Sequence, residues 1–345
     1  MKTILILEST CDETAAAVVT EALEVRSSVV ASQEHLHERY GGVVPEIASR
    51  AHVERILPVI DEALQRAGIG IKQIDAVAVA NTPGLAGSLL VGLSAAKALC
   101  LALGVPLVAV NHLHAHIYAC RLAAAKDVFP CLGLIVSGGH TSLYRCATPL
   151  DFELLGGTID DAAGEAFDKV ASLLGLPFPG GPAIERAARH GNPAAYALPR
   201  PLVDTDRLDF SFSGLKTAVR YRISPPGGPS PPRPLDERAV ADLAASFQEA
   251  VVDCLVAKAL LAAARTQLRV LCVGGGVAAN GRLRNRLREE TERRGIELFI
   301  PPITLCTDNA VMGAIALERL AAGLTEPLDL DVHPGLVRKR MKDEG

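Results

Sequence analysis

The chain has 345 residues, 49% apolar and 21% charged, with a formal net charge of -4. That length suits two domains better than one, and the composition excludes a disordered or low-complexity chain. The charge gives no global nucleic-acid signal, so contact with nucleic acid must come from a local basic patch or a partner protein.

Residues 4–7 predict an apolar strand that Glu8 and Asp12 interrupt at once, which is unlike a signal peptide. No uninterrupted apolar run reaches the roughly 18 to 20 residues of a membrane span, so a cytoplasmic address without a membrane is expected. Residues 8–13 form a polar turn and residues 14–19 a return strand, making a hairpin with a charged tip. Residues 47–67 predict a helix with apolar positions at Ile47, Val53, Ile56, Leu57, Ile60 and Leu64, a kink at Pro58 and an end at Gly68. A buried strand follows at 76–80, a turn at 81–84, a small-residue helix at 89–103 and a further strand at 106–110. The eight cysteines include no Cys-x-x-Cys pair, which fits reduced, buried thiols rather than a disulfide frame or a zinc knuckle.

Near residue 133 the opening pattern recurs. Residues 132–136 are apolar, Ser137-Gly138-Gly139-His140 is a tight turn, and residues 141–146 alternate as a return strand. A third strand, glycine turn and helix follow at 270–273, 274–276 and 278–288. Glycines at such tips let backbone N–H groups approach phosphate oxygens, although a single Gly-Gly hairpin turn is ordinarily only a turn. Together the three turns resemble the phosphate and adenosine motifs of the actin, Hsp70 and sugar-kinase superfamily. That resemblance implies an α/β fold of two duplicated, ribonuclease H-like domains with a nucleotide cleft between them. The expected division is 1–110 plus about 308–330, then 111–307 with a Pro-rich loop at 224–234, and a tail at 331–345.

Asn111-His112-Leu113-His114-Ala115-His116 holds three of the nine histidines where a strand ends and a helix should begin, with Asn111 as its N-cap. On a helix His112 and His116 share a face, so the two can grip one metal. Leu113 stands where a zinc protease motif needs its glutamate. A third ligand must come from elsewhere; Asp308 is the candidate, with a plain helix cap over 309–322 as its alternative role. Asp161, Glu165 and Asp168, spaced i, i+4 and i+7, predict one acidic helix face, readable either as a solvated stripe or as carboxylates holding ribose hydroxyls.

Over nearly its whole length the chain is similar to the universal tRNA N6-adenosine threonylcarbamoyltransferases. The residues that carry the likeness are Ser9 to Thr14, Gly41 to Glu46, His112 with His116, Val136 to His140, Asp160 to Lys169, Phe210 to Thr217, Gly274 to Asn280 and Cys306 to Asn309. The resemblance implies one divalent metal on His112, His116 and Asp308, usually assigned as Fe2+ with Zn2+ as the alternative. It implies nucleotide contacts at Ile135, Val136, Ser137, Gly138 and Gly139, with Asp168, Gly181, Glu185 and Asn280 around the nucleoside. Glu185 stands where the family often has Asp. The implied reaction moves a threonylcarbamoyl group from threonylcarbamoyl-AMP to N6 of adenosine 37 in tRNAs that read codons beginning with A, releasing AMP. Implied partners are tRNA, a TsaB-type paralogous partner protein and a TsaE-type ATPase of a bacterial complex.

For that acyl transfer, Asp12 and Glu13 are the candidates for orienting the amine or taking its proton. Lys216 and Arg220, one helical turn apart, are candidates for tRNA phosphates, with Arg282, Arg284, Arg286 and Arg288 as a further basic row. A small-molecule kinase of the same fold and a noncatalytic nucleotide-gated scaffold stay open as alternatives; the kinase has no use for the histidine pair, and the resemblance implies that the family's shorter, partner-type paralogue lacks it.

Overall fold

A computed structural model describes residues 2–224 and 235–335. The Pro-rich stretch beyond Ser224, and the basic tail of Arg338, Lys339, Arg340 and Lys342, lie outside the described residues.

The chain divides into two units, residues 1–127, 147–153 and 307–345 forming the first, and 128–146 and 154–306 the second. In the first unit β1 (Thr3–Glu8) runs antiparallel to β2 (Glu13–Thr20), which pairs with β3 (Val25–Ser32). After α1 (Glu34–His37) and α2 (Pro45–Ala67), β4 (Ala76–Thr82) joins β1 in parallel. Then α3 (Ala86–Leu103) leads to β5 (Leu107–Asn111), parallel to β4, and directly into α4 (His112–Ala124). The sheet order is β3-β2-β1-β4-β5. The central strands are covered on both faces, which is why they read as unbroken apolar runs rather than alternating ones.

In the second unit β6 (Cys131–Val136) runs antiparallel to β7 (Thr141–Thr148), followed by β8 (Asp151–Gly157). Four helices come next: α5 (Ala163–Leu173), α6 (Gly180–Ala188), α7 (Ser213–Ile223) and α8 (Glu237–Thr266). They lead to β9 (Val270–Gly274), α9 (Gly281–Glu292), β10 (Glu297–Phe299) and the short α10 (Ile303–Cys306). β9 is parallel to both β6 and β10, giving the order β10-β9-β6-β7-β8. Read from β8, this is the first sheet's order again, so the recurrence seen in the sequence is a duplicated topology. The chain then returns to the first unit through a 3-10 turn at Val311–Ile315 and α11 (Ala316–Ala321).

Several sequence expectations change. α4 belongs to the first unit, where it packs on the 311–315 turn, so the first crossing lies at 127/128 rather than 110/111. In α2 Ile56, Ile60 and Leu64 join the core, but Val53 and Leu57 are 64% and 67% exposed. One residue along a helix is a rotation of about 100°, which carries 53 and 57 off the stripe that buries 52, 56 and 60. By length and composition α3 could cross a membrane; here its Leu93, Ala96 and Cys100 pack into the first unit's core. The helix expected over 278–288 begins as a 3-10 turn, Gly276–Ala279, and becomes α9 only at Gly281. Gly275 is required between them: its φ is +95°, and a Cβ there would lie 2.4 Å from the Val136 carbonyl oxygen.

Candidate metal centre and phosphate turn

The first site is assembled by three parts of the first unit. Asn111 caps α4, its Oδ1 accepting from the Leu113 and His114 amides at 2.9 and 3.2 Å, so His112 is the first helical residue and His116 sits one turn on. The two rings lie with centroids 4.7 Å apart and planes at 77°. The returning chain places Asp308 Oδ1 3.2 Å from His116 Nε2 and 3.5 Å from His112 Nε2. One donor atom from each residue lies within 4.8 Å of the others. The Asn309 Oδ1 accepts from the Met312 amide, and the long helix expected there is a short 3-10 turn followed by α11.

Sequence reasoning missed Glu8. This carboxylate ends β1, is 3% exposed, accepts from the Thr10 amide at 2.8 Å, and lies 3.1 Å from His112 Nδ1. A carboxylate on one ring nitrogen holds the proton there and turns the other nitrogen toward the ligand position. The visible signal was a charged residue terminating an apolar strand.

The electrostatics ask for a cation. Burial disfavours a charged His112, but the Asp308 and Glu8 carboxylates outweigh it and push the ring up to about 9. Burial, then Asp12, Asp308 and Glu8, push the Glu13 carboxyl up to about 10. Burial holds the His116 ring below its ordinary value, leaving a neutral imidazole; the ring is fully buried, Nδ1 has no hydrogen-bond partner, and Nε2 meets Asp308 Oδ1 at 3.2 Å. A crowded Glu13 carboxyl that retains its proton, beside a buried neutral imidazole, fits a divalent cation that would replace that proton. Two imidazoles and one carboxylate are a donor set for Fe2+ or Zn2+ with coordination positions left open.

Asp12 and Glu13 stand half-buried at the adjoining tip. That tip is fastened from below: Ser9 Oγ donates to the Ser88 carbonyl, the Leu85 amide to the Thr10 carbonyl, and His52 Nε2 lies 3.0 Å from the Cys11 carbonyl.

In the second unit the predicted nucleotide residues form a connected series. Ile135 and Val136 are buried in β6 and lead into the Ser137 turn, where the Ser137 amide donates to the His140 carbonyl. Gly138 and Gly139 are exposed, and among the described residues their amides have no hydrogen-bond acceptor. The start of α5 packs under this tip through Gly164 and Glu165 amides bonded to the Ser137 and Gly138 carbonyls; a Cβ on Gly164 would meet the Ser137 oxygen at 2.6 Å. Asp168 Oδ1 accepts from the Gly180 amide at 2.7 Å, which sets Gly181 in the first turn of α6. Glu185 on α6 accepts from the Gly281 amide. Asn280 caps α9 through its Oδ1 to Leu283 and donates to Gln248 Oε1.

The expected acidic face does not form one stripe. α5 starts only at Ala163, and Lys169 bridges Asp161 and Glu165 at 2.8 and 2.7 Å while Asp168 turns to α6. The basic row on α9 is largely spent inside the unit. Arg282 forms a two-pronged pair with Glu249, Arg284 donates to the Ala278 and Pro301 carbonyls, and Arg286 lies near Asp253 and Glu290. On α7, Lys216 is 3.4 Å from Asp161, and Arg220 is exposed.

The sequence model of the family described as tRNA N6-adenosine threonylcarbamoyltransferase matches residues 24–315. Relatives bearing that name include one from Rhodopirellula baltica, 55% identical over 97% of this chain and 97% of its own, and one from Anaeromyxobacter dehalogenans, 54% identical over 97% and 99%. Another, from Symbiobacterium thermophilum, is 55% identical over 96% of each chain. Among solved structures, component A of the Acidaminococcus fermentans (R)-2-hydroxyglutaryl-CoA dehydratase superposes with a TM-score of 0.53 at 13% identity, covering 93% of this chain and 100% of that one. Full-length HypF in its phosphate- and nucleotide-bound form gives 0.61 at 16%, covering 94% and 56%. At such identities these two speak for the fold alone, the duplicated α/β fold of the actin, Hsp70 and sugar-kinase type. With the family match spanning most of its length, and relatives more than half identical end to end, the chain belongs to the tRNA N6-adenosine threonylcarbamoyltransferases.

Proposed function

We propose that this chain transfers the threonylcarbamoyl group of threonylcarbamoyl-AMP to N6 of adenosine 37 in tRNAs that read codons beginning with A, in the cytoplasm. The observation that carries the reading is the His112, His116 and Asp308 group, backed by Glu8, in a chain of this family. A bond forms between N6 and the carbamoyl carbon, the bond from that carbon to the phosphate oxygen breaks, AMP leaves, and N6 loses one proton. The adenine amine is a weak nucleophile, so alignment and charge stabilisation must supply most of the acceleration.

When bound, a divalent cation, Fe2+ in this proposal with Zn2+ as the alternative, supplies a fixed positive charge and open positions for donor oxygens. The exposed Gly138 and Gly139 amides, with Ser137, hold the leaving phosphate. Asp168, Gly181, Glu185 and Asn280 shape the nucleoside end of that surface, largely through the helix starts they fix. Asp12 orients the attacking amine. Glu13, whose surroundings make it a strong proton acceptor once ionised, takes the N6 proton. Lys216 and Arg220 meet tRNA phosphates, and a TsaB-type paralogue with a TsaE-type ATPase completes the assembly.

The test is nucleoside mass spectrometry of unmodified tRNA incubated with threonylcarbamoyl-AMP, the partner proteins and either the wild type or His112→Ala/His116→Ala. Modified adenosine from the wild type alone is expected. Equal product from both proteins removes the metal role, and no product from either removes the transferase reading.

A further inference from the structure

His52 lies fully buried on α2, and its one ring meets the chain on both sides of the Asp12–Glu13 tip. Its Nε2 lies 3.0 Å from the Cys11 carbonyl, just before Asp12, and its Nδ1 lies 2.8 Å from Thr14 Oγ1, just after Glu13. A carbonyl can only accept, so the ring proton sits on Nε2 and Nδ1 accepts from the Thr14 hydroxyl. Burial, the largest influence on this ring, holds it below its ordinary value, which keeps Nδ1 an acceptor. Both nitrogens are thereby spent on the two residues that flank the tip. The Cys11 carbonyl has one further donor, Ser88 Oγ, at a longer 3.4 Å.

The strand geometry shows what those bonds hold in place. Side chains alternate along β2, so Thr14 shares a face with Ala16 and Val18, which pack with Ile56 and Ile60 of α2. Glu13 shares the opposite face with Ala15 and Ala17. Those two pair across the ladder with Glu8 and Ile6, and a Cβ on Gly313 would meet Ile6 Cγ2 at 2.6 Å, so this second face lies against the turn that follows Asp308. Glu13 accordingly feels Asp308 and Glu8 among the charges that push its carboxyl up. Beyond the Glu8–Ala15 pair β2 has no ladder to β1, and a slip of one residue there would turn Glu13 toward α2 and Thr14 away from it.

We propose that His52 is a positioning residue for the transfer: by tying Cys11 and Thr14 to α2, it holds the intervening Asp12 and Glu13 on the Asp308 side of the sheet for the incoming amine. The effect on the reaction rests on the transferase reading above; the holding of the tip does not. His52 touches neither donor nor acceptor in this proposal and acts only through the backbone and side chain of its two partners.

The test compares His52→Leu, His52→Gln, His52→Asn and Thr14→Val with the wild type. Gln offers an N–H where Nε2 was and keeps the Cys11 bond, Asn offers an oxygen where Nδ1 was and keeps the Thr14 bond, and Leu keeps neither. Thermal melts establish which variants are folded. Each folded one is then measured for amide hydrogen exchange at residues 11–14 in metal-free protein, and for kcat and donor KM with threonylcarbamoyl-AMP, tRNA and the partner proteins. In His52→Leu, exchange at 11–14 should quicken while the centre of β1 is unchanged, and kcat should fall about tenfold or more with donor KM within about twofold of wild type. His52→Gln and His52→Asn should lie between Leu and wild type in both readouts, the partial rescue that a merely space-filling role does not give. Thr14→Val, which exchanges the hydroxyl for a methyl, carries the same expectation at smaller amplitude should His52→Leu fail to fold. Wild-type exchange and wild-type kcat in the folded variants overturn the proposal, as does a loss that neither Gln nor Asn relieves. A wild type that makes no product removes the transferase reading instead, and exchange at 11–14 then decides whether His52 holds the tip.

Discussion

Replacing Glu8 with Gln keeps an amide oxygen for the Thr10 N–H but removes the charge facing His112 Nδ1. Two effects then oppose each other. Loss of a carboxylate behind a ligating histidine typically weakens metal binding about 10–100-fold, or about 1.4–2.7 kcal/mol. Against this, the same carboxylate helps push His112 up to about 9, so near pH 7.5 a proton competes with the cation by roughly 30-fold in the wild type. Without Glu8 that competition falls. Near pH 9.5 the ring is mostly deprotonated in both proteins, and only the loss of the partner remains. Zn2+ affinity, read by competition with a chromophoric chelator, should therefore be 10–100-fold weaker in Glu8→Gln near pH 9.5, and the gap should narrow toward pH 7. Thermal melts of the metal-free proteins establish that both are folded. Equal affinity near pH 9.5 in a folded variant would refute the role assigned to Glu8.

Glu13 has a folded value of about 10 against an ordinary 4.5, so the folded chain keeps a proton that the unfolded chain releases, and stability drains away as pH rises between those values. In metal-free protein Glu13→Gln should gain in melting temperature relative to wild type from about pH 5 to pH 9; a pH-independent difference would contradict the carboxylate crowding. Gly275→Ala should cost about 3 kcal/mol or more, measured by denaturant unfolding, since the backbone is outside the usual range and the Cβ meets the Val136 carbonyl. Arg282→Ala, which breaks the half-exposed pair with Glu249, should cost about 1 kcal/mol after solvent screening and leave tRNA affinity alone. Lys216→Ala/Arg220→Ala should do the reverse, lowering tRNA affinity and flattening its salt dependence in filter binding. Swapped outcomes would move the basic surface to α9.

Element type was legible wherever neighbours along the chain decide it. The strand, charged tip and return strand of residues 4–19, and their recurrence at 132–146, could be read because burial on both faces leaves unbroken apolar runs closed by polar or glycine turns. The His112 and His116 pairing was legible because a helix has a known pitch and Asn111 fixes where it begins. Partner choice was not legible. That Glu8 stands behind His112, and that Arg282 and Arg284 are spent on Glu249 and on the Pro301 carbonyl, depend on residues far apart in sequence meeting in space. So does the burial of Gln33 and His37 with unmatched polar atoms, and the exposure of Val53 and Leu57 on an otherwise amphipathic helix. Periodicity states which side of an element is apolar, whereas the tertiary packing of the units decides which side is covered and which polar atoms find a partner.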